Sequence, residues 1–293
     1  MGTLFLVATP IGNLEDITLR ALRILREVSL IAAEDTRHTR KLLTHFEIST
    51  PLTSYHEHSG PARTEAVVAA LATGDVALVS DAGTPLLSDP GLALVRAALA
   101  AGHIVLPIPG PSAAISALVA SGQSTDQFTF LGFLPRKSSD RRALLARFAQ
   151  APETLILYEA PHRLLACLDD ALATLGDRQA TLARELTKMH EDFRRGRLST
   201  LRAEYERGDA PRGEFTIVIA GAEPAVEQET GETLEQRAIE RIRTLLASGV
   251  SVREIAVEVA RFTGLPRRQM YRLALEVSAG DTSQSATVND DDA

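Results

Sequence analysis

The sequence predicts an α/β protein: two α/β domains followed by a small helical unit. Three observations lead there. Through residues 1–122, short apolar runs of strand length alternate with segments of helix length, the pattern of a doubly wound, mainly parallel sheet. A second alternation starts after the break Ser121-Gly122-Gln123-Ser124-Thr125-Asp126 and continues to residue 222. Two helical segments then meet at Thr263-Gly264-Leu265, a helix-turn-helix-like pattern. The expected organisation is therefore residues 1–122 and 123–222 as α/β domains, 223–235 as an acidic linker, 236–280 as a helical unit and 281–293 as a disordered tail.

Taken in order, Leu4-Phe5-Leu6-Val7-Ala8 reads as a buried strand, ending in the turn-rich Thr9-Pro10-Ile11-Gly12-Asn13. A helix over residues 18–27 leads to a strand at 30–33, whose end carries Glu34-Asp35-Thr36-Arg37-His38-Thr39. A short helix (40–45), a strand (51–56) and a helix (60–73) precede the central strand Val76-Ala77-Leu78-Val79. Between that strand and the helix starting at Leu92 lies a long segment from Ser80 to Gly91, crowded with Gly, Pro, Ser, Thr and Asp. Such connections usually need about 2–6 residues, and a long polar loop at the carboxyl end of a parallel strand is where open sheets bind ligands. A fifth strand (103–107) ends in Ile108-Pro109-Gly110-Pro111-Ser112, before a helix of small residues. In the second domain, strands are expected at 127–134, 154–158, 180–185 and 214–219, with helices at 141–150 and 161–175.

With 45% hydrophobic residues but no Trp and only 4% aromatics, the core must be aliphatic. The single cysteine, Cys167, rules out an intramolecular disulfide and a Cys-based zinc site; no metal is expected, and His56 and His58 read as part of a solvated turn. The first residues show no leader pattern and no apolar run reaches membrane-spanning length, so a cytoplasmic protein is expected. The net charge of −7 does not exclude a nucleic-acid partner, because residues 236–280 hold eight Arg against four Glu and phosphate responds to local basic patches.

The loops match neither G-x-G-x-x-G nor G-x-x-x-x-G-K-[ST], which argues against a nicotinamide dehydrogenase or a phosphate-loop NTPase. Instead there are Ala8-Thr9-Pro10-Ile11-Gly12-Asn13-Leu14-Glu15-Asp16-Ile17, Glu34-Asp35-Thr36-Arg37, Ser80 to Gly91, Gly132-Phe133-Leu134-Pro135-Arg136-Lys137, Tyr158-Glu159-Ala160-Pro161-His162-Arg163 and Ala183-Arg184-Glu185-Leu186-Thr187-Lys188. In that order these motifs resemble the tetrapyrrole methylase superfamily, the class III S-adenosyl-L-methionine-dependent methyltransferases, and within it the branch that modifies ribosomal RNA. Thr9-Pro10-Ile11 stands where the porphyrin-type enzymes carry extra glycines. The resemblance spans roughly residues 3–221. It implies a cofactor cleft between the two α/β domains, a homodimer, and 2′-O-methylation of a cytidine in 16S rRNA within the decoding region of the 30S ribosomal subunit. It further implies that Ile11, Asp81, Ala82, Gly83, Thr84, Ser112 and Ala113 line the donor site from the first domain, closed by Tyr158 and Leu186 from the second.

Chemically, Asp81 can accept from the donor's ammonium or hydroxyls, and Ser112 can do either while also capping the next helix. A ribose hydroxyl is a poor nucleophile and needs a group to draw off its proton. Glu34, Asp35, His56, Glu57, Glu159, Glu185 and Lys188 sit at strand ends; Asp35, Glu185 and Lys188 are the favoured catalytic candidates, the lysine on condition that desolvation lowers its pKa. Glu34, Asp35 and Arg37 form a local ion-pair cluster on the alternative reading. For RNA, the candidates are Arg37, Arg136, Lys137, Arg141 (with Arg142 beside it) and Arg163, with Arg194, Arg195 and Arg197 as second choices and Arg267 and Arg268 in the tail. Two other functions stay open: methylation of a tetrapyrrole or other small substrate, and a ligand-sensing regulator whose tail reads nucleic acid.

Overall fold

The computed structural model describes residues 2–208, 210–223 and 231–285. The chain divides into two compact units, Met1–Ala222 and Glu223–Ala293.

The first sheet contains β1 (Thr3–Val7), β2 (Leu30–Ala33), β3 (Leu52–Ser54), β4 (Val76–Val79) and β5 (Ile104–Ile108), in the order β3-β2-β4-β1-β5. Its strands are parallel throughout. Parallel strands need crossovers, supplied here by α1 (Leu19–Glu27), α2 (Thr36–His45), α3 (Pro61–Leu71) and α4 (Leu92–Ala100). Every residue of β4 is buried, and the strand's two-residue period sends them to opposite faces. Ala77 and Val79 join Leu22, Leu25 and Leu42 in one core layer, whereas Val76 and Leu78 join Val67, Leu71 and Leu94 in the other. The second helix starts at Thr36 rather than at residue 40 because Asp35 caps it, accepting from the Arg37 N–H.

The small-residue helix α5 (Ala113–Ser121) belongs to this half by sequence but packs against the second. Ala114, Ala117 and Leu118 lie against Ile156, Ala183 and Val218. Those three residues sit on β7 (Thr154–Glu159), β8 (Gln179–Arg184) and β10 (Phe215–Ile219), within a sheet that also holds β6 (Phe128–Phe133) and β9 (Asp192–Arg197). The order is β6-β7-β10-β8-β9; only β6 and β7 are parallel. On its other face Leu155, Leu157, Leu182, Phe215 and Ile217 form the largest core with α6 (Ser138–Ala146), α7 (Leu164–Leu175) and α8 (Leu198–Arg207). Because one helix lies over the sheet at its centre, the two α/β halves form a single compact unit.

One strand and two α-helices escape the sequence reading, and one of those helices, Gly231–Ala247, begins inside the expected linker 223–235. The edge strand β9, Asp-Phe-Arg-Arg-Gly-Arg, and the helix α8 after it carry too much charge to register as buried segments. The second unit comprises α9 (Gly231–Ala247), α10 (Val252–Thr263) and α11 (Arg267–Ser285), packed around Ile242, Ile255, Val259 and Met270. Ser251 and Glu254 form a capping box at the start of α10, and Gly264, at φ +69°, provides the left-handed turn into α11. That helix continues to Ser285, so the expected disorder from residue 281 does not hold for residues 281–285; residues 286–293 lie outside those described.

Candidate active site

The crossovers from β1 to β2 and from β4 to β5 leave adjacent strands in opposite directions, which makes the carboxyl ends of β1 and β4 the switch point of the sheet. The loops there are tied together by backbone. Thr9 and Gly83 exchange N–H···O bonds of 2.9 Å each way, and Thr9 Oγ1 donates to the Ser80 carbonyl at 3.2 Å. Thr84 Oγ1 donates to the carbonyl of Pro111 at 3.2 Å, drawing in the loop after β5. Gly83 has φ +77°, and a Cβ there would lie 3.3 Å from Ile11 Cγ2.

The second half meets these loops at three points. A Cβ on Gly12 would fall 2.4 Å from Lys188 Cγ, and one on Gly132 would fall 2.8 Å from Ser88 Oγ. Tyr158 Oη accepts from the Ala114 N–H at the start of α5 (3.2 Å), and its ring stands edge-on to Phe130 and Phe133 at 5.0 and 5.6 Å. Backbone strain gathers in the same place. Among described residues, five non-glycine positions have positive φ, and four of them (Leu86, Ser88, Glu185 and Thr187) lie in the loop after β4 and the loop after β8. Such conformations cost roughly 1–3 kcal/mol each and tend to persist at functional sites.

The electrostatics are acidic. Asp81 Oδ1 accepts from the Asp35 N–H (3.0 Å), while the Asp81 N–H donates to Glu34 Oε2 (3.3 Å), locking the ends of β2 and β4. Burial raises the Glu34 pKa, with Asp81, Glu57 and Asp35 adding repulsion. Burial likewise pushes the Asp89 carboxyl up to about 6, helped by Glu34 and Asp81 and opposed by Ser80. Asp89 escapes the sequence reading; its only signal is its place in the same loop, beside Pro90 and Gly91. A carboxyl whose pKa is raised on folding destabilises the native state above that pKa, and the penalty vanishes below the unfolded value near 4. Asp89→Asn is therefore expected to stabilise the protein by ~1–2 kcal/mol at pH 8, after allowance for solvent screening. The gain should fade as pH falls from 6 towards 4, and urea melts at several pH values check it.

The family model described as Tetrapyrrole (Corrin/Porphyrin) Methylases matches residues 3–202. The chain belongs to this family. A second model, the RsmI C-terminal HTH domain, matches residues 233–278 of the chain. "Ribosomal RNA small subunit methyltransferase I" of Synechocystis sp. is 52% identical over 95% of this chain and 99% of its own length. The protein of the same name from Micromonospora olivasterospora is 49% identical over 94% of this chain and 88% of its own. Among solved structures, uroporphyrin-III-C-methyltransferase from Thermus thermophilus superimposes with a TM-score of 0.52 at 23% identity, over 74% of this chain and 94% of that one, a likeness of fold.

Within this member of the family, several of the expected donor-site residues lie close together. Ile11, Ala113, Tyr158 and Leu186 share one apolar cluster bridging the halves. Gly83 and Thr84 stand against Ile11 and Pro111. Asp81 and the exposed Ala82 head the loop, and Ser112 caps α5, accepting from the Ile115 N–H.

The predicted catalytic trio does not behave alike. Hydrogen bonds from Arg37 hold the Asp35 carboxyl far below the usual range, and Asp35 caps α2; of the ion-pair cluster in the alternative reading, Asp35 and Arg37 pair while Glu34 accepts from the Asp81 N–H instead. Burial disfavours the charge on Lys188, but Glu214 (2.8 Å) and Glu185 (2.9 Å) outweigh it and the net pKa is raised. The lowered pKa that a lysine base requires is thus absent. Glu185 is partly buried, yet Lys188 and the Glu214 N–H keep it ionised. Of the other candidates, His56 and Glu57 are exposed. Glu159 is 1% exposed and bonded to Arg163 at 3.2 Å.

Two of the predicted RNA contacts are corrected. Arg141 is 4% exposed, paired with the equally buried Asp170 and donating to the carbonyls of Pro135 and Arg136. Arg163 donates to the carbonyls of Leu134 and Pro135. The sequence marks both as basic, but the phase of α6 turns Arg141 inward, and Glu159 and the Leu134 and Pro135 carbonyls engage Arg163 just before α7. Their guanidinium groups hold the segment that presents Arg136 and Lys137, both exposed. Of the second choices, Arg194 pairs with Asp192, and Arg195 and Arg197 donate to the carbonyls of Ala120 and Asp177.

Proposed function

We propose that this chain is an S-adenosyl-L-methionine-dependent methyltransferase that modifies the ribose 2′-oxygen of a cytidine in 16S rRNA, in the decoding region. The observation that carries this reading is the near full-length similarity to proteins named ribosomal RNA small subunit methyltransferase I, from the first α/β half through the helical unit.

The acidic cluster of Glu34, Asp81 and Asp89 supports this reading, since a donor carrying a sulfonium and an ammonium favours negative charge beside it. Bound there, S-adenosylmethionine supplies an electrophilic methyl group on positively charged sulfur. Gly83, Ala82 and Ala113 keep the loop surfaces free of bulk, and Tyr158, pinned by the Ala114 N–H, closes the second side with Leu186. In-line transfer depends chiefly on alignment, which the strained loops maintain. As the ribose hydroxyl loses its proton, the cationic Lys188 stabilises negative charge on oxygen rather than acting as a base. Glu185 orients that ammonium and is the trio member left to accept a proton.

RNA is held by charge. Arg136 and Lys137 project from the clamped segment, and Arg267 and Arg268 are exposed at the start of α11. Replacing both Arg136 and Lys137 with alanine is expected to weaken binding about tenfold near physiological salt. The slope of log K against log salt should fall by about 1.4, the value for two contacts to single-stranded phosphates; anisotropy titrations over a salt series measure both.

The same reading takes the protein as a cytoplasmic homodimer. Ile104, Leu106, Ile115 and Val119 are exposed apolar side chains on the edge strand β5 and on α5, a composition suited to self-association. No helix among the described residues is long and apolar enough to cross a membrane.

The deciding experiment is transfer of a tritiated methyl group to 30S subunits from cells lacking the enzyme, followed by mapping of the labelled nucleotide. Label on a cytidine 2′-oxygen is expected; label on a base, or none with intact subunits, rejects the assignment.

A further inference from the structure

The two helices that cover one face of the first sheet carry a cluster of charge outside the active site. Between them, α1 and α2 hold six Lys and Arg (Arg20, Arg23, Arg26, Arg37, Arg40 and Lys41) against one acid, Glu27. All six are exposed. On the opposite face of the same sheet, α3 and α4 hold only Arg63 and Arg96, with Glu65. In a chain of net charge −7, this is a concentrated basic surface. Leu22 and Leu25 of α1 and Leu42 and Leu43 of α2 enter one core layer, which turns the intervening cations outward.

Most of that charge is not spent internally. The side chains of Arg20, Arg40 and Lys41 make no hydrogen bond or ion pair with any described residue. Arg26 donates to the Phe46 carbonyl at 3.0 Å, which ties the ends of the two helices together and leaves its charge uncompensated. Arg23 pairs with Glu27 and Arg37 with Asp35, both at the surface, where such pairs hold weakly. Both helices also begin at the site. Asp35, the cap of α2, donates its N–H to Asp81, and Thr18 caps α1 at the end of the first loop. Arg20 and Arg37 therefore stand in first turns, with Arg40 and Lys41 one turn further along a helix roughly 15 Å long.

The make-up of α2 decides what binds. Its exposed residues are Arg37, His38, Arg40, Lys41, Thr44 and His45, with no apolar side chain among them. A membrane-surface helix needs an apolar face to bury, and protein interfaces centre on desolvated apolar or aromatic anchors. Cations about one helical turn apart, without such anchors, suit a phosphodiester backbone held by charge and not by base sequence. We infer that the outer face of α1 and α2 is a second RNA surface, which takes the phosphate backbone of the rRNA flanking the methylated nucleotide. The inference rests on the RNA reading above and deepens it. Arg136 and Lys137 follow β6 in the second half, so the RNA is held from both halves of the unit.

The test uses the full-length protein, an unmethylated decoding-region RNA and 30S subunits from cells lacking the enzyme. Arg40→Ala with Lys41→Ala removes two unpaired cations, and Arg96→Ala, at an exposed position of α4, is the control on the opposite face. In anisotropy titrations the double variant should bind RNA about tenfold more weakly near physiological salt, with a salt slope reduced by about 1.4. Arg96→Ala should stay within about twofold of wild type. For the double variant, the Kd for S-adenosylmethionine should stay within about twofold and the Tm within about 2 °C, since both side chains are exposed and unpaired. Unchanged affinity and slope in the double variant overturn the inference. So does an equal loss in Arg96→Ala, which would make total charge the cause. A Tm drop or lost donor affinity overturns it too, as does a loss seen with 30S subunits but not with the RNA, which would indicate an acidic ribosomal protein. Wild type that neither binds nor labels RNA overturns the functional reading instead.

Discussion

Asp170→Ala is expected to destabilise the protein by about 3–5 kcal/mol, the usual result of removing one partner from a buried ion pair. Asp170 is 2% exposed and accepts from Ser138 Oγ (2.9 Å), Arg141 Nε (2.7 Å) and Arg142 Nε (2.5 Å). Burial opposes its charge, but these three donors outweigh the penalty and its pKa is lowered. Its contribution is therefore present above the ordinary aspartate range and lost as pH falls through the depressed folded value. Without it, the Arg141 guanidinium stays buried with carbonyls but no counter-charge. Urea denaturation at neutral pH measures the loss; a change under about 1 kcal/mol would contradict the pairing. Combining Asp170→Leu with Arg141→Met should recover much of the stability, since apolar replacements of a buried pair are often neutral or better. RNA affinity should not recover with it, because the Pro135 and Arg136 carbonyls lose the donor that orients Arg136 and Lys137.

Gly83→Val is expected to lower methyl transfer on the order of 100-fold, the scale on which misplacing a reacting group by about 1 Å acts. A β-branched residue is a conformational outlier at φ +77°. The new Cβ would also sit 3.3 Å from Ile11 Cγ2 and 3.8 Å from the Pro111 carbonyl, forcing apart the loops that the Thr9–Gly83 pair draws together. Calorimetric titration with S-adenosylmethionine should show the loss at the binding stage. Full activity and normal donor affinity in a folded Gly83→Val protein would remove this loop from the site.

Much of this architecture was legible because its signals are local. Buried parallel strands such as Val76–Val79 are continuous apolar runs, and loops that must bend sharply carry Gly and Pro. What was missed depends on partners distant in the chain. The strand Asp192–Arg197 has no apolar run; it exists because β8 offers it a free edge. Arg141 and Arg136 look equally suited to phosphate in the sequence, yet the helix begins at Ser138 and its phase turns Arg141 inward with Leu145, towards an aspartate 29 positions away. The condition set for Lys188, a lowered pKa, failed because Glu214, 26 positions on, reaches the same nitrogen.

The sequence by itself determined the two α/β halves, the helical unit and the loops in which the methyl-donor site is proposed, since apolar periodicity and backbone-restricted residues act within a few positions of themselves. Only the tertiary structure decided which charges are spent internally and that burial raises the Asp89 carboxyl above its ordinary range. Burial and ion pairing arise from neighbours brought together by folding, and no local pattern encodes them.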